Sequence, residues 1–150
     1  MEKKKQLDFF IQKVEELTIV RAVRDALIHI TPVVLIGAFA LIFKSFPVKW
    51  YQDFTATFGG GVLPHLFEVI FNSTIGILSV YMTYSVSRSY MKLKSKSQTN
   101  EGGAIITSIM SFFIMSGAYL NNFGIEYMGA KSFFLAIIAG LGASCMYFHL

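Results

Sequence analysis

The stretch RDALIHITPVVLIGAFALIFKSFP, residues 24–47, decides what kind of protein this is. It opens on the charge pair Arg24 and Asp25, carries His29, Thr31 and Pro32 inside an apolar run, and closes on Lys44 and Pro47. Three readings compete for it: the buried helix of a soluble enzyme, a cleaved secretion signal, and a first membrane crossing. As one helix, Ala26 to Phe46 rises roughly 1.5 Å per residue, which brings it to about the ~30 Å of a bilayer's hydrocarbon core. A signal peptide places a shorter apolar core near the start and ends on a small-residue cleavage site, whereas mixed-charge residues 1–25 precede this run. The stretch therefore reads as a membrane crossing.

Composition agrees. The chain of 150 residues is 54% hydrophobic and 15% charged, with a mean hydropathy of +0.56. That is too apolar for a chain of this size to cover itself with water-facing groups. The single cysteine, Cys145 in GASCMYF, excludes an intramolecular disulfide framework and a multi-cysteine zinc site, and reads as small apolar filler of a helix.

Three more runs, Leu66 to Val86, Ala104 to Leu120 and Phe133 to Leu150, approach spanning length. The breaks between them, PVKWYQDFTATFGGGVLP, SRSYMKLKSKSQTNEGG and NNFGIEYMGAKS, collect the Pro, Gly, Asn and charge that end helices. Ahead of the first crossing, Leu7, Phe10, Ile11, Val14 and Leu17 recur at helical spacing among charged and polar residues, the pattern of an amphipathic helix lying on a membrane surface or docked on a soluble partner. The predicted fold class is all-α integral membrane: an N-terminal amphipathic surface helix over residues 1–25, followed by about four transmembrane helices that form a scaffold over residues 26–150.

Of the 13 Lys and Arg, those in residues 1–24 and 88–96 fall on one side of this layout, leaving Lys44, Lys49 and Lys131 for the other. The richer side is expected to be cytoplasmic, with the N-terminus on it. Trp50 and Tyr51, in the first outer break, suit an interfacial aromatic anchor. The net charge of +4 therefore points to anionic lipid and not to nucleic acid, since its basic excess is juxtamembrane.

Polar residues inside apolar runs are the usual signposts to function. His29 and Thr31 lie near the cytoplasmic start of the first crossing, where headgroups and Arg21, Arg24 and Asp25 solvate them; a structural role outweighs a proton relay. Pro32 is expected within the first two turns of its helix, where amides have few partners to lose. His65 and Glu68 share a helix face but lack a third ligand nearby in sequence, so no metal site is expected. The Asn72–Thr74 glycosylation pattern falls inside the second crossing, and Gly59 to Gly61 lacks the lysine and hydroxyl of a phosphate loop. No catalytic, cofactor-binding, metal or substrate-binding residues are assigned, and enzymatic activity of this chain alone is not expected. The small residues say more. Ala136, Gly140 and Ser144 repeat every four positions in the last run, with Ala139 and Ala143 beside them, and Ser79, Thr83 and Ser87 do so in the second. Such stripes let helix backbones approach closely, so Ala136, Gly140 and Ser144 are the candidate helix-packing or dimer interface.

With those residues in view, VRDALIHITPVVLIGAFALIFKSFP resembles the first crossing of the membrane-embedded IIC components of the bacterial phosphotransferase system, in the lactose, cellobiose and chitobiose branch. There an Arg-Asp-Gly start leads through a proline into an apolar stretch that ends at another proline. GILSVYMTYSVSRSYMK resembles the family's second crossing with its Tyr and Ser pattern before a basic loop, and GAKSFFLAIIAGLGASCMYFHL resembles the segment that opens the fourth. Ala26 departs from the family's usual glycine, and the loop KLKSKSQTNEGG is more basic and polar than the common form. The resemblance implies a multi-pass protein of the bacterial plasma membrane, a homodimer whose early helices build the scaffold and dimer interface, and IIB and IIA components as cytoplasmic partners of the full-length protein. Sugar contacts would belong to later helices and re-entrant hairpins beyond Leu150, and the phosphoryl-carrying cysteine to a separate IIB component; Cys145 inherits no such role. A IIC-like membrane sensor or anchor module with a cytoplasmic signalling domain is the alternative, and a self-contained four-helix membrane protein a third.

Overall fold

The computed structural model describes residues 2–57, 61–94, 101–117 and 127–149; within residues 2–16 it describes the side chains of Gln6, Phe9 and Lys13 only. The described residues fold into six α-helices and a 3-10 turn: α1 (Glu2–Lys44), α2 (Lys49–Thr57), α3 (Val62–Thr74), α4 (Leu78–Lys94), α5 (Glu101–Ser116), the turn Ala130–Ser132, and α6 (Phe133–His149).

Helix α1 is a single rod of 43 residues. The expected boundary between residues 25 and 26, where a surface helix would give way to a crossing, has no counterpart in the backbone. No proline or glycine lies between Glu2 and Thr31 to stop the helix. Of the residues expected to form the amphipathic stripe, Leu7, Phe10, Ile11 and Val14 have side chains outside the described ones, and Leu17 is exposed. Pro32 consequently sits deep inside α1 and not in its first turns. It removes the amide that the Ile28 carbonyl would accept. Around it, the Thr31 hydroxyl donates to the Leu27 carbonyl at 2.9 Å, and His29 Nδ1 bonds the Asp25 carbonyl at 2.6 Å. Both polar side chains thus bond back to their own helix.

The expected second crossing, Leu66 to Val86, is broken at residues 75–77. The amides of Ile75 and Gly76 both reach the Phe71 carbonyl, at 2.9 and 3.1 Å, which widens the chain by one residue and ends α3. Only glycine fits at position 76, since a Cβ there would collide with the Asn72 carbonyl. The Tyr81 hydroxyl donates to the Ser73 carbonyl at 3.1 Å and so serves one of the groups freed by the break. Despite the interruption, α3 and α4 continue along α1 as one antiparallel unit. Phe43 stacks on Phe67 with ring centroids 5.6 Å apart, Gly37 faces Thr74 and Ile75, and the Ser85 hydroxyl reaches the Ala26 carbonyl at 3.3 Å.

Helix α5 then runs antiparallel to α4 and to α6, while α6 lies parallel to α4; α4, α5 and α6 pack on one another as a three-helix cluster, with α1 laid along α3 and α4. Three segments are long and apolar enough to cross a membrane: Leu17–Lys44, Val62–Lys94 and Ala130–His149. The sequence suggests about four. The third expected crossing, Ala104 to Leu120, corresponds to α5, an apolar helix of 16 residues, shorter than the others. Its last positions, 118–120, lie outside the described residues.

What is inside and what is outside are inverted relative to a water-soluble bundle. Large apolar side chains point outward: Ile114 is 79% exposed, Phe134 78% and Ile106 61%. Among fully buried side chains, Phe112, Met82 and Val86 are the large ones; the rest are hydroxyl-bearing or alanine, including Ser79, Thr83, Ser87, Ser108, Ser144, Ala22, Ala26 and Ala136. In water, so extensive an apolar surface would drive association. In lipid, where tails are as apolar as leucine, helices gain by close approach and by hydrogen bonds, and small and hydroxyl residues go to the interfaces. The protein is built for a membrane.

Candidate functional site

The stripe Ala136, Gly140 and Ser144 lies on the face of α6 turned toward α4 and α5 of the same chain, and all three residues are buried there. Gly140 sets the spacing. A Cβ at that position would meet the Thr83 carbonyl oxygen at 3.2 Å and Val86 Cγ1 at 3.3 Å, inside ordinary van der Waals contact. The second stripe supplies the opposing surface, with Ser79, Thr83 and Ser87 fully buried on α4. The stripe is thus occupied within the chain, and it does not form a free surface for a second copy.

Where the three helices meet, their hydroxyls converge. Ser108 Oγ on α5 lies 3.0 Å from Ser87 Oγ and 3.2 Å from Ser144 Oγ. Ser144 Oγ in turn lies 2.8 Å from Ser87 Oγ. The carbonyls of Ala104, 2.8 Å from Ser108 Oγ, and Gly140, 2.6 Å from Ser144 Oγ, offer further acceptors. The cluster therefore has more acceptors than protons, and no buried side-chain nitrogen or oxygen among the described residues lacks a partner. Ser79, in the first turn of α4, closes the same seam by donating to the Gly129 carbonyl at 2.6 Å.

Chemically this centre can pack, but it is poorly equipped to react. A serine nucleophile requires a base within hydrogen-bond reach, and the neighbours here are hydroxyls and carbonyls. Ser108 was not among the residues that the sequence singled out. Its signal was the spacing of Ala104, Ser108 and Phe112, all buried on α5 at intervals of four, but a bulky Phe at the third position hides the small-residue pattern.

The other polar residues of the apolar runs are dispersed. Glu68 pairs with Lys44 at 3.3 Å, while His65 is exposed, and no group of three His, Cys, Asp or Glu that could hold a metal ion occurs among the described residues. Asn72 to Thr74 form the end of α3, with the Thr74 hydroxyl bonded to the Ile70 carbonyl at 2.7 Å. Gly61, the described member of the glycine triplet, takes φ 83 as the residue before α3. Cys145 is half-buried and packs beside Leu141 and Tyr147 against Ala22, Tyr90, Met91 and Ala104. Trp50 sits on α2, 75% exposed, stacked on Phe54 at 6.0 Å, with Phe46 edge-on to Tyr51 at 5.4 Å beside it.

Comparison of the chain with protein-family models, with curated proteins and with solved structures returned no match.

Proposed function

We propose that these 150 residues are the scaffold part of a phosphotransferase-system sugar permease, a IIC component of the cellobiose and oligosaccharide type, inserted in the bacterial plasma membrane. The observation that carries the proposal is the packed α4–α5–α6 seam, whose hydroxyls are all taken up by one another and by backbone carbonyls. A sugar site needs convergent donors and acceptors left open in a shielded cavity. A seam in which they are closed upon each other suits the part of a permease that holds the helices in place. The resemblance of residues 23–47, 76–92 and 129–150 to the family's early crossings supplies the family; the unbroken α1 and the antiparallel α3–α4 unit beside it are compatible with those segments being successive crossings.

In this reading the end of the bundle that carries Arg21, Arg24, Arg88, Lys92 and Lys94 faces the cytoplasm, and the cytoplasmic IIB and IIA components meet the full-length permease on that side. Assembly is as a homodimer, through a surface other than Ala136, Gly140 and Ser144, because these are covered within the chain. A chimera tests the proposal. Residues 23–92 replace the corresponding segment of a cellobiose permease, and uptake is measured in cells; retained uptake is expected, and a chimera that inserts normally yet transports nothing refutes the family assignment. Calorimetric titration of the purified chain with cellobiose, chitobiose and lactose tests the scaffold role, and saturable micromolar binding of any of them would contradict it.

A further inference from the structure

A small cleft of about 50 Å³ opens between α1 and α4, lined by His29, Tyr84, Ser85, Arg88, Ser89 and Lys92. We infer that it is a binding site for the phosphate of an anionic phospholipid headgroup. This goes beyond the permease reading and does not depend on it.

The chemistry of the lining is one-sided. Tyr84, Arg88 and Lys92 follow one another at intervals of four on α4 and so form one row, with Ser85 and Ser89 on the next row inward. The row provides two fixed positive charges and a phenol; the floor provides two hydroxyls, each 7% exposed. Among the described residues no carboxylate lines the cleft. Asp25, the nearest acid along α1, is engaged by Arg24 at 3.1 Å. Among the described residues Arg88 reaches the Tyr84 hydroxyl, at a long 3.5 Å, and neither Arg88 nor Lys92 has an acidic partner. Arginine with lysine and hydroxyl donors is the set that grips a phosphate oxygen fork.

Position selects the source of the phosphate. The Ser85 hydroxyl touches the Ala26 carbonyl, and Ala22 packs with Tyr90 and Met91, so the cleft stands at the level of α1 where the charged residues Arg21, Arg24 and Asp25 meet the apolar belt. Toward the belt, Ile36 lies seven residues beyond His29 on the same side of α1 and is exposed, as is Leu35 beside it, which leaves an apolar surface for acyl chains below a bound headgroup. A soluble phosphate compound would find no use for that continuation. The size also fits: sites that enclose a drug-sized ligand measure about 300–1,000 Å³, so this one accommodates a single headgroup anion and not a sugar or a nucleotide.

The test is native mass spectrometry of the purified chain from detergent with phosphatidylglycerol, phosphatidylcholine or inorganic phosphate added, on wild type, Arg88→Gln, and the double variant Arg88→Gln/Lys92→Gln. Both side chains are exposed, and thermal unfolding followed at Cys145 checks that the variants fold; Lys92→Gln alone, which also removes a cleft charge, serves if Arg88→Gln does not fold. Phosphatidylglycerol should remain bound to wild type, with affinity lowered about 5-fold for each charge removed, whereas phosphatidylcholine should be retained weakly and inorganic phosphate should compete only at high concentration. The control Lys13→Gln/Arg21→Gln removes the same charge from the same end of the bundle, outside the cleft. Equal losses in the control and the cleft variant would reduce the effect to diffuse surface attraction and overturn the site. Tight binding of inorganic phosphate with no preference for phosphatidylglycerol would overturn the lipid as its source.

Discussion

Replacing Gly140 by leucine should unseat α6 from α4, and the structure gives the scale. The first added carbon alone would stand 3.2 Å from the Thr83 carbonyl oxygen and 3.3 Å from Val86 Cγ1. A backbone carbonyl cannot swing aside as a side chain tip can, so the remaining carbons of leucine can be placed only by moving the helices apart. Overpacking of this kind costs about 1–3 kcal/mol, occasionally more. Separation of the helices would also stretch the Ser144 to Ser87 contact of 2.8 Å. The comparison variant is Ser108→Ala, which leaves the backbone spacing alone and removes the hydroxyl contacts at 3.0 and 3.2 Å to Ser87 and Ser144. Hydrogen bonds between membrane helices average about 0.6 kcal/mol each, so the loss should come to about 1 kcal/mol. Cys145 is the single cysteine of the chain and is half-buried between α6 and its neighbours, which makes it a built-in reporter. Heating the detergent-solubilised protein with a thiol-reactive fluorophore follows the opening of this seam. Gly140→Leu should lower the unfolding temperature clearly, more than Ser108→Ala, and Gly140→Ala should fall between wild type and leucine. A Gly140→Leu protein that melts with wild type and loses only its dimer would refute the argument, because it would place Gly140 on an outer surface.

Three further outcomes are expected. With single cysteines placed at Lys94 and Asp53 in a Cys145→Ala background, an impermeant thiol reagent on intact cells should label the Asp53 position and spare the Lys94 position; the reverse pattern would invert the orientation drawn from the basic residues. Gly37→Leu should force α1 away from the α3–α4 break, because even a Cβ would stand 2.5 Å from Thr74 Oγ1 and 2.7 Å from Ile75 Cγ1; a loss of about 1–3 kcal/mol in the same thermal assay is expected, and an unchanged melt would show that the helices are not in contact there. By contrast, Lys44→Gln should change stability by less than about 1 kcal/mol, as exposed ion pairs do, since the Lys44 and Glu68 side chains are 39% and 50% exposed; a larger loss would mean that the pair is shielded from water.

Residues 24–47 by themselves determined that the chain is a helical membrane protein, because the length and apolarity that a bilayer demands are local properties of a run of sequence. The small-residue stripes were legible for the same reason: a repeat of four marks one helix face wherever that face ends up. What lies against a face is another matter. Ala136, Gly140 and Ser144 fitted a neighbouring helix or a second copy equally well, and only the packing of α6 on α4 and α5 showed which face they meet. Ser108 joined Ser87 and Ser144 for the same reason, as three residues far apart in sequence become one cluster only when three helices cross. The break at residues 75–77 and the unbroken α1 also escaped a sequence reading. Gly76 alone is a weak signal, and its effect depends on the Phe71 carbonyl taking two amides while α1 approaches at Gly37. The cleft of His29, Arg88 and Lys92 was hidden as well, since orientation statistics count basic residues by side of the membrane, whereas a site depends on which of them line one cavity between two antiparallel helices. Periodicity and hydropathy act within a helix; choice of partner is a property of pairs of surfaces, and tertiary structure alone brings those surfaces together.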